Sequence, residues 1–184
     1  MTDQLLWYTT RAAGAVSLIL LTGVVVLGIL SSLRYRPAGL PGFFTAGLHR
    51  NIALLSLVFL GLHIVTAVVD PFTSLGWLTL LVPFSSSYRT FWLGLGTIAF
   101  ELLIAVTVTS LLRGLFGARI WRAVHWLTYA AWPVAVVHGL GTGTDALSAW
   151  LFGLTVGCLA TVGFAIFYRI ARGSTTPAAK QRTL

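Results

Sequence analysis

Apolar residues fall into five long runs, separated by short polar or helix-breaking clusters. The first, residues 12–33, is too long for the core of a signal peptide and has no basic region before it, so it predicts a membrane helix. Arg34, Arg36, Pro37 and Pro41 end it. The second run, 44–69, stops at Asp70-Pro71, and the others cover 91–113, 119–140 and 147–171. Each is close to the ~20 residues that cross a bilayer. The longest connection, 70–90, contains GWLTLLVPF. This piece is too short to span, and is expected in the interface or folded back over the bundle. The last stretch, 173–184, is polar and predicts a flexible cytoplasmic tail. The pattern predicts an all-α integral membrane bundle of five transmembrane helices, one domain over residues 1–172, with no internal repeat.

Composition agrees. Hydrophobic residues make up 57% of the 184 and charged residues 9%, with a mean hydropathy of +0.91. Soluble domains carry about 25% charge, which excludes a soluble globular enzyme. The net charge of +8 would suggest nucleic acid in a soluble protein. Here the basic residues sit between apolar runs, so they mark topology and contact with anionic lipid headgroups, and no nucleic-acid partner is expected. Arg34, Arg36, Arg50, Arg113, Arg119, Arg122, Arg169, Arg172, Lys180 and Arg182 fall on one side, and Arg11 and Arg89 on the other. The positive-inside rule then puts the N-terminus outside and the C-terminus in the cytoplasm. A multi-pass place in a bacterial cytoplasmic membrane is expected. The single cysteine, Cys158, excludes an intramolecular disulfide, a CxxC site and covalent c-type haem attachment, and reads as a small packing residue.

All four histidines fall inside predicted helices: His49 and His63 on the second, His125 and His138 on the fourth. An ionisable side chain in a membrane is costly and is a functional candidate. A lone one is more often a hydrogen-bonded helix contact, but two pairs spaced 14 and 13 residues apart carry more weight. The second and fourth helices both run from cytoplasm to outside, so His49 and His125 lie near the inner face and His63 and His138 near the outer one. The two levels are roughly 20 Å apart, which excludes one metal ion held by all four side chains. Two sites, each with one histidine from each helix across an apolar slot, suit six-coordinate haem, whose porphyrin supplies the other four ligands. Fourteen residues return a helix to within ~40° of the starting face, whereas thirteen miss it by ~140°. Pro133 lies between His125 and His138 and must disturb the bond to the Tyr129 carbonyl, so a kink or tightened turn there is expected to correct the aim.

These paired spacings, with HRNIALLSLVFLGLHIV as a first histidine helix and TSLLRGLFGARIWRAVHWLTYAAWPVAVVHG as the third-to-fourth helix region, resemble the ferric reductase-like transmembrane domain family. That family includes the cytochrome core of NADPH oxidases, yeast ferric reductases and the haem subunit of a bacterial methionine sulfoxide reductase system. The resemblance covers residues 44–140. It implies two non-covalent, bis-histidine haem b groups between the second and fourth helices, inner iron on His49 and His125, outer iron on His63 and His138. It also implies electron flow from the cytoplasmic to the outer side. The chain ends soon after the fifth helix, so the larger members' flavin and nicotinamide domain is not expected within it. A separate flavoprotein drawn to basic cytoplasmic loops, or a quinone, is the expected donor, and the acceptor is extracytoplasmic.

Haem propionates need cationic partners. Arg50 adjoins His49, and Arg122 lies one turn before His125, so both are candidates beside ordinary snorkelling. Arg89 and Tyr88 are weaker outer counterparts. Trp132, midway between the fourth helix's histidines, is a candidate for the space between the haems. Glu101 is the only acid inside a helix, and is protonated or paired there. GLGTGTD, 139–145, meets neither a dinucleotide nor a phosphate fingerprint and reads as an outer turn over the second haem, with Asp145 a weak candidate for placing an acceptor. No catalytic constellation of nucleophile or paired carboxylates is present. The leading function is a di-haem b cytochrome, the electron-transfer part of an oxidoreductase. The alternatives are a haem subunit reducing a quinone or partner protein, or a transporter or anchor with structural histidines.

Overall fold

The computed structural model describes residues 2–33, 41 and 43–174. Six helices are present among them: α1 (Thr2–Ser32), α2 (Phe44–Val69), α3 (Thr90–Leu111), α4 (Ala118–His125), α5 (Thr128–Thr142) and α6 (Ala149–Ser174). No strand occurs among the described residues. Four of the helices, α1, α2, α3 and α6, are long and apolar enough to cross a membrane. Arg34, Arg36, Pro37, Lys180 and Arg182, and the predicted tail from 175 onward, lie outside the described residues.

Packing is that of a molecule dissolved in lipid. Large apolar side chains such as Leu54, Val58, Val65, Phe164 and Phe167 point outward, while Ser17, Thr22, Ser56, Thr97 and Thr155 are buried between helices. Small hydroxyl residues let backbones approach closely, and lipid already solvates the large apolar ones. The core is built by Leu21, Val25 and Ile29 of α1, Leu103 of α3, Trp132 and Val136 of α5, and Cys158 and Val162 of α6. Helix α1 is the hub, packing on α2, α5 and α6, while α3 packs along α5. Thr10 meets Thr66, and Val24 meets His49, so α1 and α2 are antiparallel. The extensive packing of α2 is on α1 alone, which leaves a slot between α2 and α5.

Two expectations change. The first helix starts at Thr2, ten residues before the predicted Ala12. Its early residues, including Leu5 and Trp7, are apolar enough to continue it past the hydropathy threshold set off by Arg11. The fourth predicted helix is two pieces, of 8 and 15 residues, broken at Trp126-Leu127. The nine-residue apolar piece folds back on α3. It forms a short 3₁₀ turn, Trp77–Leu80, whose Thr79 carbonyl accepts from the Thr97 hydroxyl at 2.8 Å. Helix α2 ends where expected, at Asp70. There the Asp70 carboxylate accepts from the Phe72 N–H, and the Thr73 hydroxyl donates to the orphan carbonyl of Ala67.

The break explains how a 13-residue spacing holds its aim. Leu127, Tyr129 and Ala130 donate to Val124, Trp126 and Leu127, three i→i+3 bonds in place of i→i+4. A residue in that tight form turns the chain about 120° instead of about 100°. Three to five such residues recover roughly 60–100° of the ~140° deficit. The tight stretch ends at Tyr129 and Ala130, beside the carbonyl that Pro133 leaves without its helical donor, so the correction lies one turn N-terminal to the proline instead of at it.

Candidate functional site

The four histidines meet in two pairs. The rings of His49 and His125 have centroids 6.1 Å apart, and those of His63 and His138 6.4 Å apart. Each pair joins α2 to the broken α4–α5 segment across the slot. The fourteen-residue spacing on α2 separates the levels by roughly 20 Å.

Three of the four rings are fixed by one device. Nδ1 of His49 bonds the Val24 carbonyl at 3.0 Å, Nδ1 of His63 the Thr10 carbonyl at 2.9 Å, and Nδ1 of His138 the Trp92 carbonyl at 2.8 Å. Donation from Nδ1 leaves Nε2 free to ligate. Four residues after each of these carbonyls comes a glycine over which the ring lies: Gly28 under His49, Gly14 under His63, Gly96 under His138. A Cβ on Gly14 would stand 2.9 Å from the His63 ring, and one on Gly96 2.6 Å from the His138 ring, whereas one on Gly28 would stand at an ordinary 3.5 Å from His49. On α1 the two seats, Thr10 with Gly14 and Val24 with Gly28, repeat at the spacing of the α2 histidines. The fourth ring has no such seat. Among the described residues Nδ1 of His125 is buried without a hydrogen-bond partner, and the ring stacks on Trp121, centroids 5.1 Å apart. Trp121 is held in turn by its indole N–H to the Ser110 hydroxyl and by the Arg113 guanidinium over its face.

Cavities adjoin both pairs. One of about 200 Å³, lined by Arg11, Tyr88, Thr144 and both rings, and one of about 110 Å³ on the α3 side, flank His63 and His138. One of about 240 Å³, lined by Gly28, Arg122, Tyr129 and Arg169, holds His49 and His125. Among the sequence candidates, Arg122 and Tyr88 line a cavity, whereas Arg50 is exposed and Arg89 lines none. Arg89 instead donates to the carbonyls of Gly141 and Thr142, closing the end of α5. Two cations at the cavities were not picked out from sequence. Arg169 donates to the Tyr129 hydroxyl at 3.0 Å, and Arg11 pairs with Asp145 at 3.1 Å and bonds Thr144. Both come from chain ends remote in sequence from the histidines they approach, and only the fold joins them.

The remaining candidates have structural surroundings. Trp132 is buried between the levels, its indole N–H donating to the Thr22 hydroxyl at 3.1 Å, and lines none of the three cavities. Cys158 is buried and free. Asp145 is held by Arg11. Glu101 is exposed on the outward face of α3, without a hydrogen bond or ion pair among the described residues, and so touches neither level. Among the described residues no three histidine, cysteine or acidic side chains converge on one point.

A family model, ferric reductase like transmembrane component, matches residues 13–136. The chain belongs to this family. The match takes in three of the four histidines and stops two residues before His138. Transmembrane domains of this kind generally bind haem, and the family makes the protein a membrane redox component. Among curated proteins and solved structures, none matches this chain.

Proposed function

We propose that this ferric reductase-like protein is a di-haem b cytochrome that passes electrons from a cytoplasmic donor to an extracytoplasmic acceptor. The carrying observation is the ring separation at the two levels. An iron–nitrogen bond of about 2 Å on each side, plus roughly 1 Å from nitrogen to ring centre, puts trans imidazoles about 6 Å apart. Both separations match this value. The Nδ1 bonds support it, since they leave Nε2 as the free nitrogen on three of the rings.

When bound, haem b supplies a one-electron ferric/ferrous couple. The residues of the chain do the rest. His49 and His125 would hold the inner group, and His63 and His138 the outer one. Arg122 and Arg169 would present positive charge to anionic side groups at the inner cavity, while Arg11, paired with Asp145, lines the outer one. Arg50 has no place at the cavity in this reading. Trp132, with Thr22, fills the space between the levels and excludes water from it. The N-terminus-out orientation rests on the ten-to-two distribution of basic residues. It also offers basic inner loops to an acidic flavoprotein donor, with a membrane quinone as the other candidate donor.

Purified protein is expected to yield two haem b per chain by pyridine haemochrome assay, all of it released by acid–acetone. A reproducible ratio near one, or haem retained on the polypeptide, overturns the proposal. A second test falls on the break. Pro133→Ala restores a donor for the Tyr129 carbonyl and removes the cause of the tight turn. His125 is then expected to swing by roughly 60–100° from the face of His138, and haem content to fall towards one per chain. A Pro133→Ala protein that keeps both haems would show that packing, not the proline, sets the break.

A further inference from the structure

The histidines are not equivalent, and the difference follows from their seats. Resting on the reading of the two levels as haem ligands, we propose that His125 is the exchangeable ligand. The His49–His125 level is then the one at which a small neutral molecule enters the coordination shell more readily.

At the His63–His138 level both rings donate to a backbone carbonyl, and both lie against a glycine too close to accept a Cβ. Neither ring can turn or withdraw without losing a hydrogen bond and striking a helix backbone. At the other level His49 keeps its carbonyl, but its glycine leaves ordinary clearance. His125 has neither. Its Nδ1 is buried without a partner among the described residues, and a stack on Trp121 holds the ring plane. A stack fixes the tilt of a plane but permits sliding within it, and it adds nothing to the basicity of the ligating nitrogen. Donation from the far nitrogen does both, and its loss typically weakens a metal–histidine bond 10–100-fold.

The seat is missing for a reason readable in the chain. The α3 seat that serves His138 is Trp92 with Gly96. Fourteen residues further along α3, where its repeat would fall, stand Val106 and Ser110. Ser110 is not a glycine, and its hydroxyl accepts from Trp121. Where α1 repeats its seat for both histidines of α2, α3 builds one and replaces the second with a serine–tryptophan brace.

Carbon monoxide is the probe, since it binds ferrous haem only where an axial ligand yields. In the exchange the iron–nitrogen bond to His125 breaks, an iron–carbon bond forms, and no electron is transferred. Two double variants isolate the levels: His63→Ala/His138→Ala retains the inner pair, and His49→Ala/His125→Ala the outer. After dithionite reduction, the inner-pair protein is expected to show the CO-shifted Soret band at CO concentrations at least about tenfold lower than the outer-pair protein needs. The wild type and Trp121→Ala give the same answer without either double variant. Wild type is expected to take up CO in two phases, with half of the haem in the first. Trp121→Ala should shift that first phase several-fold to lower CO and leave the second unmoved. Equal affinities, an outer level that exchanges first, or a first phase indifferent to Trp121→Ala overturns the proposal. A wild-type spectrum without haem defeats the underlying functional reading instead, and is visible before CO is added.

Discussion

Replacing His63 or His138 by alanine is expected to remove the same haem, so that each variant falls from two haems per chain to one by pyridine haemochrome assay. His49→Ala and His125→Ala are expected to share the complementary loss. Ring pairs at 6.1 and 6.4 Å leave no other partnership, because a histidine of one level lies roughly 20 Å from the other level and iron–imidazole bonds are short. All four variants should stop electron delivery across the membrane, since a two-centre wire is cut by losing either centre. All four should still insert, because hydropathy sets insertion and a histidine-to-alanine change does not lower it. His49→Ala and His138→Ala removing one common haem would refute the pairing, and the parallel course of α2 and the α4–α5 segment with it.

Much of that pairing was legible in the chain because α2 is regular. Fourteen residues bring His63 back over His49 whatever the neighbours do. The α4–α5 segment was only half legible. Pro133 announced a disturbance, yet the tight turn lies at 124–130, where the loss of a donor at Tyr129 combines with the docking of Trp121 on α3. A sequence shows the missing N–H but not the helix that the displaced turn leans on. The histidine seats were illegible for a different reason. Their acceptors are backbone carbonyls of Thr10, Val24 and Trp92, which carry no residue signature. Their glycines look like any small residues of membrane helices. The spacing of Gly14 and Gly28 was the one available signal, since it equals that of His49 and His63. Arg11 and Arg169 were visible as charges, but nothing local tied them to a cavity. Glu101 was flagged for its cost in lipid, and the fold turns it outward, away from both levels.

Gly96→Ala and Gly14→Ala are expected to damage the outer centre severely, while Gly28→Ala leaves both centres in place. The clearances decide this. A methyl on Gly96 would meet Nδ1 and Cε1 of His138 at 2.6 Å, and one on Gly14 would meet Nδ1 of His63 at 2.9 Å, so a ring or a helix must move. The rings cannot give way cheaply, because the same movement stretches the bonds to the Trp92 and Thr10 carbonyls. Overpacking of this kind costs about 1–3 kcal/mol, and losing the carbonyl bond weakens the ligand a further 10–100-fold. Haem content is therefore expected to fall towards one per chain in Gly96→Ala and Gly14→Ala. The surviving haem should be the one that His49→Ala removes. At Gly28 the same methyl would rest against His49 at 3.5 Å, a normal contact, and helix propensity slightly favours alanine over glycine. Gly28→Ala should hold two haems with the wild-type reduced spectrum. If it loses haem as readily as Gly96→Ala, close approach is not what these glycines provide, and the contrast between a tightly seated outer level and a looser inner one fails with it.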